Sequence, residues 1–447
     1  MKKYIAFIFL LFISCSLTAQ AYFSFYQLRE LLPQAQGLQP AYVPDNTLTI
    51  GLPLNGGAMI QGDFKLEDLL TTPQGTRGFT IDFDVLNAVK QASNNLNLDV
   101  TGNIFHLGLK TKAGVFSAFF NSRVHSDLIY GEDILDFLAN GNAHRLGETL
   151  DFSSSRFKGD AFHEVGIGYA REFLDKRLVV GARVKWLTGL YHASIDSDLT
   201  AQLTTDPESF NWNINMVNAS LRTAGLSNFD DFDLTPFGTN NSGVAFDFGA
   251  RFKVLPWLEL EASVSDIGSI KWKDNVRNHV VPDTAFVFSG IDLRGGLTST
   301  DAIFQDSLLN KFNASENEEA FTNQLALRTY LTASFYINPN NRFSFTYFKS
   351  NNLANMPANY ALSFTHRLDK FLVGINGSYR GAINEVNVGG SILTNLGPVQ
   401  IYMATDNLFV MNRPERFSKA DIRFGMNIML GYKRWLKSDG IVDLNSL

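Results

Sequence analysis

The sequence predicts an all-β protein, a transmembrane antiparallel β-barrel of about 14 strands. Three observations carry that reading. Long segments alternate apolar and polar residues with a period of two. Charged residues are only 18% of the chain while Phe alone numbers 38; a soluble protein usually has about a quarter charged. Finally, the chain opens with the layout of an export signal.

Lys2 and Lys3 form a basic start, Tyr4–Ile13 an unbroken apolar run, and Ser14–Ala19 a stretch of small residues. That order predicts a cleaved signal peptide over 1–19 and export. The apolar run is about half the ~20 residues a membrane-spanning helix needs. An uncleaved anchor, or a lipoprotein signal ending at Cys15, are the alternatives. Cleavage removes the only cysteine and two lysines, leaving 36 basic residues against 44 acidic ones, a net charge of −8. Without cysteine there is no disulfide framework and no thiolate chemistry. An acidic chain without basic blocks has no electrostatic footprint for nucleic acid.

Residues 20–46 come next. Phe23, Phe25, Tyr26, Leu28, Leu31 and Leu32 are followed by Pro33, Pro40 and Pro44. The stretch is too apolar for a solvated tail and too broken by proline for a barrel strand. It reads as a hatch or plug in the lumen or its mouth, with Phe23, Phe25, Tyr26, Gln39, Pro40 and Ala41 as candidate hatch residues. A docking arm for a partner is the alternative.

The barrel itself is expected over 47–447. In Asp421–Lys433, Ile422, Phe424, Met426, Ile428, Leu430 and Tyr432 share one parity, with Arg423, Gly425, Asn427, Gly431 and Lys433 on the other. Val244 to Val254, Leu258 to Val264 and Leu178 to Trp186 repeat the pattern. Side chains alternate across a strand, so each has a greasy and a polar face. A soluble β-sandwich also alternates, but its strands are usually shorter. Fourteen strands are expected: one within 47–62, then 102–111, 114–124, 162–172, 177–188, 243–254, 257–265, 326–337, 342–349, 359–367, 371–380, 384–394, 397–405 and 421–433. Adding 193–204 and 210–217 to the wall would give 16; a hairpin projecting from the rim is preferred. Helices are expected at 83–92 and 132–140. Long connections (125–161, 189–242, 266–325) alternate with very short ones, as outer loops alternate with periplasmic turns. Both termini are then periplasmic, in a protein of the Gram-negative outer membrane bathed in its lipid.

The polar parity supplies candidate lumen-lining residues: Arg183, Lys185, Arg251, Lys253, Glu259, Glu261 and Arg423. Internal ion pairing is the preferred role for them, and a transport path the alternative. Trp186, Trp257, Trp272 and Trp435 sit near strand ends and suggest interfacial girdles.

Chemistry is sparse. No nucleophile elbow, P-loop, zincin or EF-hand motif occurs. The seven histidines show no metal-ligand spacing, and the cluster Asp230, Asp231 and Asp233 reads as a solvated loop. A barrel phospholipase would need a Ser/His pair on one face, and neither His163 nor His366 has an evident serine. The reading is a non-enzyme: no catalytic residue, no cofactor and no metal.

One resemblance joins these elements. Ala35-Gln36-Gly37-Leu38-Gln39-Pro40-Ala41 before the first strand resembles the Asn-Pro-Ala element of FadL-like outer-membrane barrels, with Gln39 where that superfamily usually has Asn. Gly51-Leu52-Pro53, Asn97-Leu98-Asp99-Val100, Phe116-Ser117-Ala118-Phe119, Ile134-Leu135-Asp136-Phe137, Gly141-Asn142-Ala143 and Gly166-Ile167-Gly168-Tyr169 are similar to a Bacteroidota family known only as a domain of unknown function. The resemblance implies a 14-stranded barrel plugged by its N-terminal segment. In the wider group, members are channels for hydrophobic compounds or accessory barrels of type IX secretion. Two functions follow as expectations: a channel for a small hydrophobic ligand, or a non-transporting partner of other envelope proteins. An apolar pocket beside the N-terminal segment would favour the first, and a sealed lumen with a large loop surface the second.

Overall fold

The computed structural model describes residues 22–62, 70–71, 80–81, 93–195, 198–225, 239–289, 315–351, 358–368, 371–380, 385–411 and 417–431. The signal expected at 1–19, the helix at 83–92, the aspartates at 230–233 and Trp435 lie outside the described residues.

Fourteen antiparallel strands close into a barrel. The first, β1, has two pieces, Leu48–Gly51 and Asn55–Gly62. There follow β2 (Ser93–Thr111), β3 (Gly114–Gly131), β4 (Arg156–Phe173), β5 (Leu178–Ile195), β6 (Ser242–Leu255) and β7 (Leu258–Trp272). The second half is β8 (Arg328–Asn338), β9 (Asn341–Ser350), β10 (Asn359–Arg367), β11 (Phe371–Arg380), β12 (Glu385–Leu396), β13 (Val399–Thr405) and β14 (Lys419–Leu430). Closure is made by β1, which pairs Leu48 with Leu109 of β2 on one side and with Leu430 of β14 on the other. A closed sheet leaves no edge to aggregate. Among the described residues, no helix is long and apolar enough to cross a membrane.

Alternation sets the two faces. Phe248 and Phe424 point outward, 49% and 47% exposed, while Asp247 and Asn427 are fully buried inside. An outer surface this rich in bare Leu, Ile, Val and Phe is unsuited to water.

Of the two segments weighed as extra wall strands, residues 193–195 continue β5, and the rest forms the preferred hairpin, Thr200–Thr205 with Trp212–Val217. Thr149–Asp151 and Thr284–Phe288 join it in a separate four-stranded sheet at the long-loop end. The helix α1 (Glu132–Asn140) packs near it, Phe137 meeting Trp212 edge-on at 6.1 Å. Several strands run longer than expected; β2 begins at Ser93, because Leu96, Leu98 and Val100 extend the alternation past a polar start.

Bulges make the main corrections. In β7, Phe246 pairs with Ile267 but Phe248 with Val264, so Ser265 and Asp266 stand opposite the single Asp247, one residue in excess, and both point inward. An extra residue flips the parity of everything beyond it. Trp272, expected in a girdle, is therefore fully buried inside, whereas Trp186 and Trp257 face outward, each 51% exposed.

Candidate functional site

The N-terminal segment lies inside the barrel. Phe23–Tyr26 form one helical turn, and the carboxylate of Asp406 accepts hydrogen bonds from the backbone N–H groups of Phe23 (3.0 Å) and Ser24 (2.7 Å). This satisfies donors that a helix start leaves open. Pro33 starts a 3-10 turn, and by Thr47 the chain reaches Leu430, where it enters β1.

The segment has two faces because the lumen has two halves. Phe23, Phe25, Tyr26, Leu28 and Leu32 pack with Tyr330, Phe348, Leu372, Leu393 and Tyr402 from β8 to β13. Tyr26 stacks on Tyr330 at 4.8 Å. The opposite half, β2 to β7, is charged. There Arg29, buried and in the left-handed region at φ 50°, is held by Glu259 and by Glu261 at 2.9 Å. Left-handed backbone costs a non-glycine residue ~1–2 kcal/mol, which these ion pairs offset. Tyr42 and Tyr26 donate to the same Glu261 carboxylate oxygen at 3.1 and 3.3 Å. Burial first, and the Glu261 charge second, push both phenols well up, so they stay protonated as donors. Burial would raise the Glu30 carboxyl, but Arg29, Arg251 and Arg342 outweigh it and hold it down at about 2.

Gln39, Pro40 and Ala41 are buried against β5, β6 and β7. The Gln39 side chain donates to the Ala262 carbonyl (3.1 Å) and accepts from Ala41 N–H (3.2 Å). Arg251 pairs with Glu259 at 3.2 Å. Lys185 reaches Asp247 at 2.6 Å and also Asp266; Arg183 reaches Asp247 at 3.5 Å and the Gln36 carbonyl at 3.2 Å. Arg423 lies 3.4 Å over the Tyr22 ring. Lys253 stands apart, half-buried near the β6–β7 turn. The partners Arg29, Asp247 and Asp266 were missed by sequence reasoning. Arg29 carried the one usable signal, as the lone cation in an otherwise apolar stretch.

Beside the segment remains a cavity of about 70 Å³. It touches Phe25, Leu38, Phe119 and Tyr402, and Arg123, Arg183, Lys185, Arg328 and Arg423 bring five cations to it. The apolar pocket named as the mark of a hydrophobic ligand is therefore not what this space provides. The cavity also reaches Gly56 of β1 and Thr101 and Asn103 of β2. There the β1–β2 ladder is sparse, with Asn55 opposite Asn103 and Gly62 opposite Leu96 beyond the first piece of β1.

A second correction concerns the histidines. His163 does have a serine: its Nδ1 lies 2.8 Å from Ser122 Oγ, though its Nε2 has no partner among the described residues. His366 instead meets Asn341 at 2.7 Å. Among the described residues, no group of three or more His, Cys, Asp or Glu is placed to hold a metal ion.

The geometry defines a class, the closed β-barrel whose own N-terminal segment occupies its lumen. The chain belongs to a family of unknown function (DUF5723), whose model matches residues 40–406. No curated protein matches it. Among solved structures it is similar to a Pseudomonas aeruginosa FadL homologue, with 9% identity, TM-score 0.46, and coverage of 93% of this chain and 100% of that one. It is similar also to the Ralstonia pickettii toluene transporter TbuX, with 8% identity, TM-score 0.44, and coverage of 90% and 95%. The Pseudomonas putida toluene transporter TodX gives 8% identity, TM-score 0.41, and coverage of 92% and 97%.

Proposed function

We propose that this protein is an outer-membrane barrel, exported through a signal peptide cleaved after Ala19, and that residues 20–46 are a hatch closing a channel for small compounds. The outward Leu, Ile and Phe side chains support the membrane setting, since lipid is the solvent they need. The observation that carries the channel reading is the cavity between the segment and the sparse β1–β2 seam. Displacing the segment would join that space to the rest of the lumen. Long loops and the separate sheet stand outside, and both termini periplasmic, in this orientation. N-terminal sequencing of membrane-fraction protein is expected to start at Gln20.

A second reading, a non-transporting partner of other envelope proteins such as a type IX secretion accessory, has its own support. It rests on the well-packed apolar seal of the segment and the folded sheet and helix at the long-loop end. Flux measurements separate the two. Proteoliposomes holding a variant without residues 22–38 are expected to leak small solutes that the intact chain retains or passes slowly. Equal tightness and equal thermal stability of the two would overturn the hatch and favour the partner reading.

A further inference from the structure

We propose that Ser194, His192 and Asp160 form a hydrolytic triad in the long-loop half of the lumen, acting on carboxylic esters. His192 and Ser194 stand two residues apart on β5 and so share a face, and Asp160 of β4 is registered directly opposite His192. A bulge brings them inside. Phe162 pairs with Gly189 but Ala161 with Tyr191, leaving Leu190 extra. Up to Gly189 the odd residues of β5 are buried; from Leu190 on the even ones turn in. Without that residue His192 and Ser194 would point outward. Bulges are favoured where a side chain must be re-aimed beside a site.

The two ring nitrogens have distinct partners. His192 Nδ1 lies 2.7 Å from Asp160 Oδ1, and Nε2 lies 2.9 Å from Ser194 Oγ. An ionised carboxylate only accepts, so the ring proton sits on Nδ1. Nε2 is thereby left as the acceptor of the serine proton, which is the polarity a general base needs. The ring is fixed on its faces as well, 5.2 Å from Trp272 and 5.0 Å from Phe321. Asn323 donates to Asp160 Oδ1 at 2.7 Å and holds the carboxylate still. His192 and Asp160 are buried while Ser194 is partly open, so the exposed end of the relay is the nucleophile. The Trp272 indole, packed beside the His192 ring, keeps its N–H buried without a hydrogen-bond partner among the described residues.

The chemistry balances without a cofactor. Ser194 Oγ bonds to the ester carbonyl carbon as its proton passes to Nε2. The tetrahedral adduct then breaks its bond to the alcohol oxygen, which leaves with that proton. Water repeats the sequence on the acyl-serine, releasing the acid and restoring Ser194. Asp160 touches no reacting atom; it is a positioning residue.

The test uses the full chain, folded in detergent micelles, with p-nitrophenyl acetate as substrate and a fluorophosphonate as covalent probe. Mass spectrometry is expected to find the phosphonyl group on Ser194, and hydrolysis is expected to fall to background in Ser194→Ala and in His192→Gln. Asp160→Asn would donate to Nδ1 and force the proton onto Nε2. A loss on the order of 10⁴-fold, with a pH–rate profile of different shape from the wild type, is expected there. Ser122→Ala, which breaks the other Ser/His pair, is expected to keep the wild-type rate. Heat-modifiable electrophoretic mobility reports that each variant is folded. A wild-type Ser194 left unlabelled, or Ser194→Ala hydrolysing as fast as wild type, would overturn the proposal.

Discussion

Gly181 of β5 and Gly249 of β6 lie directly opposite each other across their ladder, and together they make the notch that seats Gln39, Pro40 and Ala41. A Cβ on Gly181 would run into the Pro40 carbonyl, and one on Gly249 into the Gln39 amide oxygen. The wall omits two side chains so that the segment's backbone can lie against it. Gly249→Val is therefore expected to lift the segment, at an overpacking cost of about 1–3 kcal/mol. Thermal unfolding in detergent and protease cleavage within 22–46 read the change. Gly377→Ala, whose Cβ would meet nothing within 4 Å, is expected to stay within ~0.5 kcal/mol of wild type. Equal effects of the two substitutions would refute the notch.

Arg29 holds two buried carboxylates at once, Glu259 and Glu261. Removing one partner of a buried pair leaves charge uncompensated and costs about 3–5 kcal/mol. Arg29→Met is thus expected to destabilise the barrel strongly by thermal scan. Adding Glu261→Gln to it is expected to recover part of the loss, because the stranded charge is gone. A strictly additive double variant would mean that Arg29 acts through something other than Glu261.

Much of this architecture was legible because alternation is local. Phe424 and Arg423 take opposite faces by parity alone, and no tertiary information is needed to see it. Parity fails where one residue is inserted, and nothing at Leu190 or at Ser265–Asp266 announces a bulge. Trp272 was placed on the wrong face for that reason, and the pair His192 and Ser194 was passed over. Ion partners were illegible for a different reason. Lys185 and Asp266 are distant in sequence, and only the registers of β5 and β7 on the β6 between them bring them together. The segment's burial was readable from its composition; the notch that receives it depends on two glycines that look like any others.

Facing can be tested energetically. Phe248 looks outward and Arg251 inward. In a bilayer Phe248→Arg places a charge against lipid, at about 2–4 kcal/mol near the midplane. Arg251→Ala leaves Glu259 still paired with Arg29 and is expected to cost clearly less. Refolding titrations of both variants into lipid vesicles give the comparison, and equal costs would contradict the assignment of faces.

Acid should loosen the segment before it loosens the wall. The Glu30 carboxyl is held at about 2 against an ordinary 4.5 by Arg29, Arg251 and Arg342, which outweigh the cost of its burial. A carboxyl whose folded value lies below its unfolded one stabilises the fold fully above the unfolded value. That contribution is lost as pH falls from about 4.5 through about 2, because the segment must then give up its ion pairs to take the proton. Glu30 lies at the short-turn end, at the segment's contact with Arg251 (3.6 Å). Release is therefore expected to begin there. Protease cleavage within 22–46, followed between pH 5 and pH 2 with an acid-active enzyme, is expected to rise in the wild type. In Glu30→Gln the segment is expected to be looser at pH 5 already, and to change less on acidification. An unchanged acid response in that variant would assign the effect to another carboxylate.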